Sequence, residues 1–205
     1  MRRKMLYTIA VTIFSLSLNT GRAQAQADET RKVELGGHFT ALRNMESDQT
    51  EAGFGGRVGY NVHRNVTLEA ELNFFPEEDF LRGGNRVQGL FGVKAGKRFD
   101  KVGVFAKVRP GFFHLREGEF RLRQDVLCIA VFPPPEGCVE TSGVTNFNVD
   151  VGGVFEVYPS PRTIIRLDVG DTIIRTGDRT FGAGFVLPGR TEHNLQGGIG
   201  FGFRF

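Results

Sequence analysis

The chain has 205 residues, with 26 Lys and Arg against 23 Asp and Glu. Four of the basic residues and none of the acidic ones fall in the first 27 positions, so the rest of the chain carries 22 basic and 23 acidic side chains. The excess of positive charge is therefore no argument for nucleic-acid binding. Beyond residue 27 no stretch approaches the roughly 18 apolar residues of a membrane-spanning helix, so any membrane role must depend on strands.

Residues 1–27 have the organisation of a secretory signal peptide. Three basic residues at positions 2–4 precede a mostly apolar run over 5–18. The sequences Ala23-Gln24-Ala25 and Ala25-Gln26-Ala27 then offer small-residue cleavage patterns. A membrane-anchoring helix is the alternative, but the apolar run is short for a bilayer span. We expect cleavage near residue 27, which leaves one domain over 28–205.

The remaining chain alternates apolar and polar residues with period two, which indicates strands with two unlike faces. Pro110 removes one ladder donor, so we expect a strand end or a bulge near it. The last strand should pair with the first, because a closed barrel leaves no free edge. Eight strands are predicted in chain order, at 32–41, 52–60, 66–74, 87–95, 102–112, 147–157, 165–170 and 195–205.

The connections between these strands alternate in length. Residues 43–50, 75–85, 114–145 and 171–190 are long connections, whereas 61–65, 97–101 and 158–162 are short. This alternation predicts an all-β, eight-stranded, antiparallel up-and-down transmembrane barrel, with the short turns and both termini on the periplasmic side. Tyr60, Tyr158 and Phe205 fall at that end and are expected to form an aromatic girdle.

Period two alone does not say which face lies inside the barrel. The polar faces of the strands together carry twelve charged residues. If those faces met lipid, they would cost on the order of 20 kcal/mol, more than the net stability of a typical domain, about 5–15 kcal/mol. A soluble, lipocalin-like ligand-binding barrel with an apolar interior is the alternative. The charged face carries Glu34, Arg57, Glu69, Glu71, Lys94, Lys107, Arg109, Asp150, Glu156, Arg166, Asp168 and Arg204.

In a membrane barrel these charges must face the lumen, where we expect an ion-pair network. Hairpin geometry predicts Arg57 opposite Glu69 or Glu71, and Glu156 opposite or diagonal to Arg166. Eight strands leave a lumen just wide enough for side chains, and inward glycines make room for the long ones. The sequence therefore predicts a filled interior and no open pore.

Over about residues 33–205 the chain resembles the small outer-membrane β-barrel proteins of the OmpA/OmpX type. The resemblance depends on the signal-like start, the eight alternating strands and the closing sequence Ile-Gly-Phe-Gly-Phe-Arg-Phe at 199–205. It implies residence among the lipids of a Gram-negative-type outer membrane. Phe201, Phe203 and Phe205 match the C-terminal aromatic signal that the barrel-assembly machinery reads in that family. Since no sequence follows Phe205, the peptidoglycan-binding domain of larger relatives is not expected.

The sequence offers little chemistry for catalysis. The four histidines, at positions 38, 63, 114 and 193, form no pair at metal-ligand spacing with Cys or carboxylate residues. Some small outer-membrane barrels modify lipid A with Ser and His at the outer rim, but this chain has no His-x-Ser pair. We expect no enzyme, metal or cofactor, and keep a lipid A-modifying barrel as the enzymatic alternative.

Cys128 and Cys138 enclose an apolar segment within the longest connection. In an oxidising compartment we expect them to form a disulfide that closes the loop tip. Exposed apolar segments mark contact sites, so the connection 114–145 is the predicted surface for an extracellular partner. The sequence thus predicts an integral outer-membrane protein with a structural or surface-interaction role.

Overall fold

The computed structural model describes residues 31–46, 48–76, 84–122, 139–181 and 185–205; side chains are not described for 117–122, 139–141, 179–181 and 185–187. The expected signal peptide at 1–27 and the expected disulfide between Cys128 and Cys138 lie outside these residues and stay predictions. Within the described ranges, no helix is long and apolar enough to cross a membrane.

Eight antiparallel strands close into a barrel, and two short strands form a separate hairpin. In chain order the strands are β1 (Val33–Asn44), β2 (Thr50–His63), β3 (Val66–Phe75), β4 (Arg86–Arg98), β5 (Val102–Leu122), β6 (Val139–Ser160), β7 (Thr163–Arg175), β8 (Arg179–Phe181), β9 (Phe185–Leu187) and β10 (Thr191–Arg204). The order around the barrel is β1-β10-β7-β6-β5-β4-β3-β2, with β8 paired to β9. The predicted all-β, eight-stranded barrel is confirmed.

The first and last barrel strands form the closing seam, as expected. β1 pairs antiparallel with β10 without interruption, from Glu34 opposite Arg204 to Asn44 opposite Asn194. Further hydrogen bonds, from Phe205 N to Val33 O (2.9 Å) and from Val33 N to Phe205 O (3.2 Å), extend the seam by one residue. Backbone donors and acceptors along the seam are thus paired, as a lipid-exposed wall requires.

Several strands run further than the alternation predicted. β5 and β6 have 21 and 22 residues and enter the expected 114–145 connection. β7 extends to Arg175, into 171–190, where β8 and β9 also form their hairpin, and β10 begins at Thr191, four residues before the predicted strand. Only the membrane-crossing part of a strand needs two unlike faces. The extension of β5 keeps an alternation of apolar and charged residues at Phe120, Arg121 and Leu122, which favours a resumed strand, whereas those of β7 and β10 have no such alternation.

The expectation of a strand end or bulge at Pro110 is wrong. Pro110 pairs with Val149 on β6, and the β4–β5 ladder keeps one register on both sides of Pro110, with a gap of two pairs between Leu90–Gly111 and Val93–Val108. The irregularity of β5 lies later, between Leu115 and Glu119. A single missing donor is tolerated here because the neighbouring ladder pairs hold the register.

The barrel has an apolar outside and a polar inside. Large apolar side chains are exposed on all eight barrel strands, with Phe39 72% and Phe91 62% exposed. By contrast, Lys94 and Glu156 are fully buried. A soluble lipocalin-like barrel has the opposite arrangement, so that alternative is rejected.

Candidate functional site

The barrel has two unlike ends. One end, which we call the short-turn end, carries the three short turns and the seam residues Val33 and Arg204. The other, which we call the long-loop end, carries the four longer connections. The inward side chains of β3 show how the interior is layered between them. From the short-turn end these are Thr67, Glu69, Glu71, Asn73 and Phe75, so after one hydroxyl the charged residues give way to an amide and then to an apolar side chain.

Arg166 lies at the centre of the charged layer. Its guanidinium donates to both carboxylate oxygens of Glu69 across the lumen, at 3.0 Å from Nη2 to Oε2. On its own strand it donates to Asp168, at 2.7 Å from Nε and 2.8 Å from Nη2. Charged groups with this many short hydrogen bonds are compensated for the loss of water, which is the condition for a buried ion pair to be tolerated.

Lys94 and Arg98 on β4 connect this centre to the short-turn end. Lys94 Nζ lies 2.5 Å from Glu156 and 3.3 Å from both Glu34 and Glu69. Arg98 Nη2 lies 2.9 Å from the other oxygen of Glu34. The lysine is therefore surrounded by three carboxylates from three different strands.

Lys107 and Arg109 on β5 extend the network towards the long-loop end. Arg109 donates to Asp150 from Nε (2.9 Å) and Nη2 (2.6 Å), and to Glu71 from Nη1 (2.6 Å). Lys107 Nζ lies 3.0 Å from Asp150 and 3.2 Å from Asp168. Each carboxylate of the network lies within 4.0 Å of at least two bases, so the pairs form one connected network.

Arg57 is the most weakly held base of this network. β2 and β3 align it with Glu71, the second of the two partners that hairpin geometry allowed. Its Nη1 lies 3.8 Å from Glu71 and 3.6 Å from Asp168, beyond hydrogen-bond distance, and that nitrogen has no hydrogen-bond partner. Both carboxylates have shorter contacts with other bases.

Replacing Arg57 with methionine should therefore lower the free energy of unfolding by only about 1–2 kcal/mol. Urea titration of the refolded barrel, followed by the loss of compact mobility on a cold gel, measures this. The exposed turn residue Arg162 supplies the matched control, since Arg162→Met removes the same charge without touching the interior. A loss for Arg57→Met no larger than that of the control would show that Arg57 is not part of the network.

The partners of the other bases are mostly not cross-strand neighbours. Glu156 and Arg166 lie opposite each other on β6 and β7, yet their side chains are 3.8 Å apart. Arg166 of β7 is closer to Glu69 of β3, and Arg109 of β5 contacts Glu71, which is also on β3. Contacts across the lumen therefore dominate over contacts along the wall.

The second layer consists of amides, hydroxyls and one histidine. Asn73 donates to Gln88 (2.9 Å), and Gln88 and Gln196 are joined at 3.1 Å. His38 Nε2 lies 2.5 Å from Asn73 Oδ1 and 3.5 Å from Glu71, which links this layer to the charged one. Gly55 leaves room for this contact, because a Cβ at that position would collide with Asn73 and His38.

An apolar cluster closes the interior near the long-loop end. Leu42, Phe75, Phe113 and Ile174 pack together, with Phe75 and Phe113 ring centroids 6.1 Å apart. Leu115 packs against the cluster from the mouth side, where a cavity of about 220 Å³ begins. Between this cluster and the short-turn end lie the amide layer and the ion-pair network, whose side chains are buried.

Two predicted residues at the short-turn end differ from expectation. Tyr158 points inward and is 8% exposed, so it is not part of an outer aromatic girdle; Tyr60 and Phe205 are exposed. The Tyr158 hydroxyl donates to Glu156 at 2.7 Å and accepts from Arg98 Nε at 3.1 Å. Arg204 forms no ion pair with a described residue; its guanidinium instead lies 3.9 Å above the Tyr158 ring.

The histidines outside the interior do not assemble a catalytic or metal site. In the part of the chain that the structure describes, no three His, Cys, Asp or Glu side chains are placed to hold a metal ion. His193 Nδ1 lies 2.7 Å from Asp171, and His114 Nδ1 lies 2.8 Å from the Thr145 hydroxyl. Among the described residues neither pair combines a nucleophile, a histidine and an orienting acid: His193 has a carboxylate but no hydroxyl or thiol partner, and His114 has a hydroxyl but no carboxylate partner.

Sequence reasoning missed several interior residues that the alternation could have found. Arg98 lies four residues after Lys94 on β4, and Tyr158 lies two after Glu156 on β6, so both continue an inward-facing series. The same holds for Phe75 and Phe113, which follow Asn73 and Gly111 at even spacing. All four were missed because the predicted strands ended before them.

No protein-family model and no curated protein sequence matches the chain. Among solved structures, neisserial surface protein A (NspA) aligns with a TM-score of 0.52 at 11% identity, over 84% of this chain and 97% of that one. The N-terminal β-barrel domain of Pseudomonas aeruginosa OprF aligns with a TM-score of 0.46 at 13% identity, over 84% and 97%. The outer membrane protein OprG of Pseudomonas aeruginosa aligns at 0.43 and 9%, over 86% and 97%.

Proposed function

We propose that this chain, which has the fold of the eight-stranded outer-membrane β-barrels, is an integral outer-membrane protein with a closed interior and a surface-interaction role. One observation carries the proposal. The wall is apolar on the outside of all eight strands, while the charged residues are buried inside. Because an apolar exterior of this extent is unfavourable in water and favourable in lipid, a bilayer is the medium that fits the wall.

The layered interior argues for a closed barrel over a channel. The ion-pair network, the amide layer and the apolar cluster of Leu42, Phe75, Phe113 and Ile174 follow one another along the axis. An ion that crossed this interior would have to break buried ion pairs and then enter an apolar constriction. Both steps are costly in a low-dielectric environment.

The experiment that tests the membrane proposal combines localisation, folding and conductance. The full chain should fractionate with the outer membrane, and unheated samples should migrate differently from boiled ones on a gel. In planar bilayers the refolded protein should give no stepwise currents, whereas an open porin in the same bilayers supplies the positive control. Recovery in the periplasmic extract would contradict the membrane proposal, and reproducible channel steps would contradict the closed interior.

The hairpin of β5 and β6 supports the surface-interaction part of the proposal. The last pair of β5 with β4 is Leu115 with Arg86, and the last pair of β6 with β7 is Phe147 with Arg175. Beyond these pairs the two strands continue together to Leu122 and Val139, with no other described strand alongside. Unpaired strand edges are available for pairing with another chain, and the sequence 123–138 between them contains the apolar segment enclosed by the two cysteines.

This proposal predicts an orientation that cysteine labelling can measure. In a background with Cys128→Ser and Cys138→Ser, a membrane-impermeant maleimide should label Ser142→Cys, on the projecting hairpin, in intact cells. Arg162→Cys, on an exposed turn at the short-turn end, should be labelled only after lysis. The reverse pattern would place the hairpin on the periplasmic side and remove it as a surface for extracellular partners.

A further inference from the structure

A cavity of about 880 Å³ opens at the short-turn end of the barrel. This volume lies within the range of small-molecule sites, about 300–1,000 Å³. The charged residues that line it are mostly basic: Arg31, Lys32, Arg64, Arg98 and Arg204 stand against Asp100. A cleft lined by one sign of charge concentrates ions of the opposite sign, so this mouth should attract anions.

Two guanidinium groups at this cavity have N–H groups without an acceptor. Arg98 is 8% exposed, and although Nε and Nη2 donate to Tyr158 and Glu34, Nη1 is buried and has no hydrogen-bond partner. Arg204 Nε is also buried and has no partner. An unpaired charged donor is costly when buried, and an acceptor in the cavity would remove that cost.

The charge balance of the ion-pair network leaves Arg204 without a carboxylate. Six acidic side chains are buried or half-buried in the network, and six bases lie within 4.0 Å of them. Arg204 is a seventh base at the edge of this network and forms no ion pair with a described residue. Its position over the Tyr158 ring uses the face of the guanidinium and none of its N–H groups.

We propose that this cavity binds an oxyanion of the phosphate class, with Arg98 and Arg204 as donors at its base and Arg31, Lys32 and Arg64 at its rim. A phosphate oxygen can accept charge-assisted hydrogen bonds from both guanidiniums at once. The same chemistry is offered by a free phosphate and by a phospholipid headgroup. Phe99, Pro159 and Phe205 also line the cavity and could contact the glycerol part of a lipid.

The test uses the full chain refolded in an uncharged, phosphate-free detergent at low salt. Isothermal titration with inorganic phosphate forms one arm, and titration with short-chain phosphatidylglycerol the other. At least one probe should bind saturably. Arg204→Gln should weaken that binding about tenfold, as expected for loss of a charge-assisted hydrogen bond. Arg162→Gln, which removes the same charge from an exposed turn outside the cavity, should weaken it less than about twofold.

The two arms distinguish the source of the phosphate. Comparable affinities for both probes indicate a soluble anion, whereas much tighter binding of the lipid with displacement by phosphate indicates a headgroup. The proposal is overturned if neither probe binds saturably, or if both variants weaken binding by the same factor. Should Arg204→Gln fail to regain compact gel mobility, Arg64→Gln at the rim takes its place, with the same control and an expected loss above that of the control.

Discussion

Replacing Arg166 with methionine should lower the free energy of unfolding by about 3–5 kcal/mol, the cost of removing one partner from a buried ion pair. Arg166 donates to Glu69 and Asp168 through three nitrogens, and it is 1% exposed. Methionine is unbranched and uncharged but ends two bonds short of the terminal guanidinium nitrogens, so the loss combines two carboxylates that keep fewer partners with a small empty volume. Urea titration in bilayers, read by gel mobility and by circular dichroism, measures the change.

A double variant separates electrostatics from packing. If unpaired charge causes the loss, adding Glu69→Gln to Arg166→Met should recover part of the stability, because one of the stranded carboxylates becomes neutral. Arg162→Met is the control for charge removal at an exposed site. A loss for Arg166→Met equal to that of the control, or a double variant no more stable than the single one, would contradict a network held by these ion pairs.

Placing an arginine on the outer wall at mid-height should also destabilise the barrel strongly. Val58 and Val62 are both on β2 and both 51% exposed, but Val62 lies one residue from the end of the strand and Val58 five. In a bilayer, Val58→Arg should cost about 2–4 kcal/mol, whereas Val62→Arg near the interface should cost about 0–1 kcal/mol. Unfolding titrations in lipid vesicles measure both values.

Val58 and Val62 are matched in residue type and exposure and differ in depth. The two variants introduce the same side chain at positions of equal exposure on one strand; Val58 pairs with Ala70, and Val62 lies at the register shift between Asn61 and His63. The difference in unfolding free energy between them therefore reports depth in the lipid. Equal costs for the two variants would mean that this wall does not face a bilayer, and would contradict the membrane proposal.

The sequence predicted the eight barrel strands because the alternation of polar and apolar residues is a local property. In 195–205, for example, the apolar residues at odd positions lie on the outer wall and Gln196 lies inside. The pairing of the first strand with the last could also be predicted, because a closed barrel leaves no free edge and an even number of strands makes that pair antiparallel. Strand ends were predicted less well, as at Tyr158 and Phe113, because turns and rims lack the two-faced pattern.

The interior contacts required the tertiary structure. Sequence reasoning could align Arg57 with Glu69 or Glu71 through a short hairpin, but it had no means of bringing Arg166 to Glu69, which is 97 residues away. Strand tilt and stagger determine which inward side chains share a level in the lumen. The same geometry places Arg204 on the Tyr158 ring and leaves Arg98 with a free donor beside it.

The sequence by itself thus determined the wall: its number of strands, their antiparallel order and the face that residues within the predicted strands take, since all three depend on neighbours a few residues apart. Only the closed barrel decided the partners within it, because a lumen this narrow forces side chains from opposite strands into contact. The cavity at the short-turn end was likewise decided only by the closed barrel. Its basic residues come from the segment before β1, from one turn and from two strand ends, and the barrel brings them together.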